Sequence, residues 1–190
     1  MLENVLTDAM KLEKLLKKID YTLLKGNLDV SVRDIAYDSR NYSDTFAEVA
    51  ARVLAANGVK VYLFESLRPT PMLSFTVRHL KTDAGIVLTA SHNPKEYNGY
   101  KVYGSDGGQV TDNAANEILG YINNIDLFND VKIISKEEAM EKGLLVYIGE
   151  DVDNAYYEQV ETLVVNKQLV KDHASELKII YTPIHGSGNI

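Results

Sequence analysis

Thr89-Ala90-Ser91-His92-Asn93-Pro94, running on through Asn98-Gly99-Tyr100-Lys101, is the stretch whose reading decides the fold. Just before it, Ala84-Gly85-Ile86-Val87-Leu88 is a short apolar run of the kind that makes a buried strand. Asn93-Pro94 then stops regular structure, because proline fixes its own φ and pushes the preceding residue out of the helical region. Asn98-Gly99 is a second turn signal, and Tyr100-Lys101-Val102-Tyr103 reads as another strand. The pattern predicts a serine held at a strand end in a tight polar loop, with Lys101 brought back beside it.

Upstream of this loop, strands and helices alternate. Leu12, Leu15, Leu16 and Ile19 fall at helical spacing within residues 1–20, with lysines on the wet face. Val30 to Tyr37 alternates like a strand and runs into Asp38-Ser39-Arg40. Ser43 or Asp44 is placed to cap a helix whose inner stripe is Phe46, Val49, Ala50, Val53 and Leu54, with Gly58 as its stop. Val59 to Phe64 reads as a strand. Thr70-Pro71 reads as a capping hydroxyl with proline in the first turn, and Leu73, Thr76, Val77 and Leu80 form the inner face of that helix. Such alternation predicts an α/β domain, with polar loops gathered at strand ends.

Downstream, Ser105-Asp106-Gly107-Gly108 predicts a tight turn, followed by a helix over 111–123. Val131 to Ile134 is expected as a strand. Ser135 and Glu138 suggest a capping box for a short helix ended by Gly143, and Leu144 to Ile148 an edge strand. Gly149-Glu150-Asp151 marks the expected domain boundary, dividing the chain into 1–149 and 150–190. A helix over 152–166 and a strand over 177–181 are expected beyond it, the strand leading into His185-Gly186-Ser187-Gly188.

Composition narrows the function classes. With 45% apolar residues the 190-residue chain can bury a core. A net charge of −7 with no basic stripe argues against a nucleic-acid partner. The absence of cysteine excludes thiolate chemistry and disulfides. No run of about 20 apolar residues is present, so no membrane partner and a cytoplasmic location are expected.

The stretch from Ser91 to Lys101 resembles the active-site loop of the α-D-phosphohexomutases, the phosphoglucomutase/phosphomannomutase superfamily. Ala36-Tyr37-Asp38-Ser39-Arg40, Leu67-Arg68-Pro69-Thr70-Pro71, the run 90–103, and Tyr181-Thr182-Pro183-Ile184-His185-Gly186 resemble further family segments, in family order. The branch that includes the phosphopentomutase-like enzymes is the most similar. The resemblance implies a three-layer α/β/α domain 1 with a mixed sheet, its first strand missing, followed by the incomplete start of a second α/β domain. It also implies that the serine carries a phosphoryl group and interconverts sugar 1- and 6-phosphates through a bisphosphorylated sugar. The implied cofactors are Mg2+, bound through the Ser91 phosphate with aspartates from an Asp-x-Asp-x-Asp loop that this sequence lacks, and a glucose 1,6-bisphosphate-type activator. A hexose phosphate is the implied substrate, and the remaining domains of the same protein are the implied partners. The 190 residues are then cut from a longer protein or come from a split gene, and they are not expected to turn over alone. The alternatives are a phosphopentomutase-like member of the same family and a non-catalytic sugar-phosphate-binding or interaction module.

Each candidate residue has a plainer reading beside the functional one. Ser91 could be a turn serine, and Lys101 a solvated strand lysine; the loop favours the phosphoryl carrier and its proton-handling partner. Gly-x-Ser-x-Gly is absent, and neighbouring side chains in an extended chain point opposite ways, which places His92 badly as a base for Ser91. His92 and Asn93 are read as orienting the phosphate, with His92 preferred over Asn93 as a participant in the chemistry. Gly99 is expected to relieve backbone crowding. Arg40 reaches either a phosphate oxygen, the Ser91 loop, or an internal ion pair with Asp38. Glu150, Asp151 and Asp153 resemble a metal cluster but are read as stabilising a helix N-terminus. His185 with Gly186 and Gly188 is a weak phosphate-loop signal, and His79 and His173 show no partner pattern.

Overall fold

Short apolar runs and one-sided helices meet here as a single mixed sheet covered on both faces. The structure, a computed structural model, describes residues 32–126 and 129–184. The helix expected over residues 1–20 and the His185–Gly188 loop lie outside the described residues. The strands are β1 (Val32–Tyr37), β2 (Lys60–Phe64), β3 (Ala84–Leu88), β4 (Tyr100–Gly104) and β5 (Leu145–Ile148), in the order β4-β3-β1-β2-β5. β1 lies parallel to β2 and β3, β5 lies parallel to β2, and only β4 runs antiparallel, beside β3.

The helices are α1 (Ser43–Ala56), α2 (Thr70–Leu80), α3 (Asp112–Ile122), α4 (Lys136–Glu141), α5 (Glu150–Glu161) and α6 (Lys167–His173). α1 lays Phe46, Ala47, Ala50, Val53 and Leu54 on Ile35, Val61, Leu63, Ile86 and Leu88. On the opposite face, α2 and α5 place Met72, Leu73 and Val152 against Ala36, Phe64 and Val87. This is the three-layer α/β/α arrangement, and burial on both faces explains why β3 is apolar throughout.

The topology also locates a crevice. The connection after β1 passes over one face to β2, and the connection after β2 returns over the other face to β3, on the far side of β1. The carboxyl ends of β1 and β3 therefore flank a switch point, where open α/β sheets leave room for ligands. Asp38-Ser39-Arg40 leaves one of these ends and Thr89-Ala90-Ser91 the other.

Several local expectations are corrected. α1 is not capped by Ser43 or Asp44. Its N-cap is Tyr42, with φ +63 and no side-chain cap, and the buried Ser43 hydroxyl instead bonds Asn98 Oδ1 at 3.1 Å. Pro69, not Thr70, is the N-cap of α2, again without a side-chain cap. Residues 131–134 form no strand: Val131 and Ile134 pack against the α1 core, and the Ile134 carbonyl accepts from Arg52 Nε at 2.9 Å. Half of the capping box forms, with Ser135 Oγ accepting from the Glu138 amide at 3.0 Å, while the Glu138 carboxylate pairs with Lys142. The helix expected over 152–166 is α5, starting at Glu150 and ending at Glu161, and Asn166 then caps the separate α6. Residues 177–181 are not a strand. No strand among the described residues takes up their backbone, and Ile180 is 97% exposed.

α5 is also tied to the sheet by an ion pair that the sequence did not announce. Arg68 donates to Asp153 through Nε at 2.8 Å and Nη2 at 2.5 Å, and both side chains are largely buried. The Arg68 amide meanwhile donates to the Tyr37 carbonyl, at the end of β1. Among the described residues no helix is long and apolar enough to cross a membrane.

Candidate functional site

The loop between β3 and β4 folds on a small polar framework. Thr89 donates its amide to the Gly99 carbonyl at 3.1 Å, so the loop closes where it opened. At Gly99 a Cβ would lie 2.6 Å from the Thr89 carbonyl oxygen, so a side chain there would force the two loop ends apart. The crowding expected at this glycine is thus borne out. On the other side, the Asn41 amide donates to the Lys95 carbonyl, and Asn98 Nδ2 donates to the Asn41 carbonyl at 2.8 Å. These bonds fasten the loop to the segment between β1 and α1.

At the centre is the Asp38 carboxylate. Its Oδ2 accepts from Thr89 Oγ1 at 2.6 Å and Arg40 Nε at 3.1 Å, and its Oδ1 accepts from the Arg40 amide at 3.2 Å. Thr89 Oγ1 in turn accepts from the Ser91 amide at 3.0 Å. Arg40 is largely buried, and its guanidinium reaches loop carbonyls: Nη1 donates to Asn93 (2.7 Å), Pro94 (2.9 Å) and Tyr97 (3.3 Å), and Nη2 to Ser91. Of the destinations open in the sequence, Arg40 thus takes two at once, the Asp38 ion pair and the Ser91 loop.

Ser91 stands out at the tip. It is exposed, with φ +55, a left-handed conformation that non-glycine residues adopt uncommonly; the helix caps Tyr42 and Lys81 share it, but Ser91 takes it in a loop on the cleft wall. Its Oγ accepts a hydrogen bond from Lys101 Nζ at 2.8 Å. β4 is antiparallel to β3 and pairs Lys101 with Val87, and this register returns the lysine to the serine's side. The segment is a turn at Ser91 and not the extended chain expected. His92 is exposed and makes no hydrogen bond to Ser91. Asn93 is exposed as well, its amide donating to the Ala90 carbonyl and closing the turn.

Ser91, His92, Asn93 and Lys95 line a cleft of about 1010 Å³ with Arg40 and the start of α2 at Thr70. The wall holds an exposed hydroxyl with an amine on it and a buried guanidinium behind, while the Asp38 carboxylate is taken up by its neighbours. Among the described residues no group of three metal-ligating side chains comes together. Glu150, Asp151 and Asp153 occupy the first turn of α5, where acidic residues suit the helix dipole, and Asp153 is taken by Arg68. Sequence reasoning assigned no part to Thr89, although a hydroxyl ending a buried strand beside the candidate serine was a usable signal.

The α/β/α domain thus presents an exposed serine at positive φ at the switch point of its sheet, with a lysine on the hydroxyl. The family model described as phosphoglucomutase/phosphomannomutase, alpha/beta/alpha domain I, matches residues 22–128. A phosphoglucomutase of Staphylococcus haemolyticus is 42% identical over 155 residues, 81% of this chain and 27% of that protein. One from Staphylococcus epidermidis is 39% identical over 80% of this chain and 27% of its own. Among solved structures, a putative phosphomannomutase from Thermus thermophilus aligns with TM-score 0.56 and 37% identity, over 58% of this chain and 25% of that one. The Paramecium phosphoprotein pp63/parafusin, a phosphoglucomutase in open form, aligns with TM-score 0.59 and 26% identity, over 67% and 24%. The chain belongs to the phosphoglucomutase/phosphomannomutase family and contains its N-terminal domain. It spans about a quarter of the length of these relatives.

Proposed function

We propose that this chain is the phosphoserine-bearing N-terminal part of an enzyme that interconverts sugar 1-phosphate and 6-phosphate. The observation that carries the reading is the 2.8 Å bond from Lys101 Nζ to the exposed Ser91 Oγ at the mouth of the cleft. In this reading Ser91 holds a phosphoryl group. A hydroxyl oxygen of the bound hexose phosphate attacks phosphorus, the Oγ–P bond breaks, and the new O–P bond gives a sugar bisphosphate. The hydroxyl proton leaves to a base while the departing Oγ takes one up. Lys101 lies where one nitrogen can serve both ends, accepting the sugar's proton as an amine or protonating Oγ as an ammonium. After the bisphosphate turns round, the other phosphate returns to Oγ by the same step reversed.

His92 and Asn93 are placed on the cleft wall to orient the phosphate, and Arg40 supports it from behind the loop. Phosphoryl transfer needs mainly positioning and neutralisation of the equatorial oxygens, which suits this set. Mg2+ would add Lewis-acid neutralisation, held in part by the phosphate on Ser91. The described side chains do not complete such a site, because Asp38 is engaged by Arg40 and Thr89. The aspartates would come from outside this chain. A hexose 1,6-bisphosphate is the expected activator, since it can load an empty serine. The division at 149/150 and a cytoplasmic location belong to the same proposal.

The test is steady-state kinetics of the longer protein that contains this chain. Ser91→Ala is expected to abolish mutase turnover, and Lys101→Met to lower kcat by roughly 10²–10⁴-fold, the usual worth of a proton-transferring group. Near-normal turnover by Ser91→Ala would refute the assignment.

A further inference from the structure

Four carbonyls of the serine loop converge on the Arg40 guanidinium, those of Ser91, Asn93, Pro94 and Tyr97. All described peptide bonds are trans, and in a trans peptide the N–H points opposite to the C=O. Turning the Ser91 and Pro94 carbonyls onto Arg40 therefore turns the amides of His92 and Lys95 away from it. Both residues line the cleft, and neither amide has a hydrogen-bond partner among the described residues. The Asn93 amide donates to the Ala90 carbonyl and Pro94 has no N–H, so these two amides stand as separate unpaired donors on one turn, and oriented turn amides can hold anionic oxygens.

We propose that Arg40 is a positioning residue that shapes this loop into an oxygen-accepting cradle. By gathering the carbonyls behind, it holds Ser91 at positive φ and leaves the His92 and Lys95 amides as donors to a phosphate monoester in the cleft. The inference rests on reading Ser91 as a phosphoryl carrier, and it assigns the grip on that phosphoryl group to main chain. Arginine is needed because a planar fork can bridge several carbonyls at once, whereas lysine is a point charge on a flexible stem. The Asp38 ion pair and the Thr89 hydroxyl keep the fork in register.

The experiment is backbone-amide NMR of the 190-residue chain, titrated with inorganic phosphate. In the wild type the Ser91 carbon shifts should report a left-handed residue, and the His92 and Lys95 amides should move saturably together. Arg40→Lys should keep the dispersed resonances of the sheet but lose the Ser91 signature and weaken the phosphate response roughly tenfold or more, the scale of a lost charge-assisted bond. In Arg40→Ala, added guanidinium should restore both signals where ammonium at equal ionic strength does not. Retention of the Ser91 signature and phosphate response in Arg40→Lys would overturn the proposal. So would wild-type amides that ignore phosphate, or equal rescue by ammonium. Should Arg40→Ala not fold, the Arg40→Lys comparison decides alone. Failure of the phosphoryl-carrier reading would register in turnover and phosphopeptide measurements, whereas failure of the cradle registers in this titration.

Discussion

Ser91 takes a backbone conformation that costs an L-residue on the order of 1–2 kcal/mol, and the surrounding side chains keep it there. Thr89 is the smallest of these supports, because one hydroxyl both donates to Asp38 and accepts from the Ser91 amide. Thr89→Val keeps the shape and removes both bonds. It is expected to destabilise the domain by about 1–3 kcal/mol through the unpaired groups left behind, read by urea unfolding. Gly99→Ala is expected to cost a similar amount, about 1–3 kcal/mol, since its Cβ would meet a main-chain oxygen that cannot swing aside. Unchanged unfolding midpoints in both variants would contradict the loop geometry. At this scale the sequence was informative about Ser91, Lys101 and Gly99, where turn residues and strand spacing constrain the chain strongly. It was uninformative about which way Arg40 turns, because carbonyl partners at positions 91 to 97 become neighbours only after β1 and β3 pair.

The strands and helices follow the period of their apolar residues closely, and the misses have a common cause. Val131 to Ile134 has strand-like composition, but the edge beside β2 is already taken by β5, so these residues pack as irregular chain. Residues 177–181 have the composition as well and no sheet to join. Propensity could not report either fact, since both depend on partners elsewhere in the chain. Another feature invisible to pattern is Asp34, fully buried in the middle of β1, where burial pushes its carboxyl up to about 7 from 3.8 despite a hydrogen bond from Thr82 and the nearby Arg33. The folded state thus binds more protons than the unfolded chain between these two values. Stability is expected to fall as pH rises across that window, with a slope approaching about 1.4 kcal/mol per pH unit. Asp34→Asn should flatten the profile, and thermal unfolding of both proteins from about pH 4 to 8 measures it. A wild-type Tm that rises steadily over that range would contradict the assignment. The ion pair that pins α5 makes a separate prediction. Asp153→Ala leaves the buried Arg68 without its carboxylate and should destabilise by about 3–5 kcal/mol, read by the same method.

At the scale of the molecule, a packed body ends near the first turns of α5, and an exposed stretch follows it. Leu163, Val165, Leu169, Ile179 and Ile180 all face solvent, an apolar composition on a surface that the described chain does not cover. The family model ends at residue 128, before this stretch, and the chain spans about a quarter of its relatives' length. Limited trypsin digestion of the chain should therefore cut at Lys167, Lys171 and Lys178 before any site within the sheet. Site-resolved phosphopeptide mapping of the protein isolated from its own cells tests the central claim most directly. A single phosphoryl group on Ser91 that exchanges with labelled hexose 1,6-bisphosphate is the expected result; an unmodified Ser91 in protein that turns over normally would contradict it.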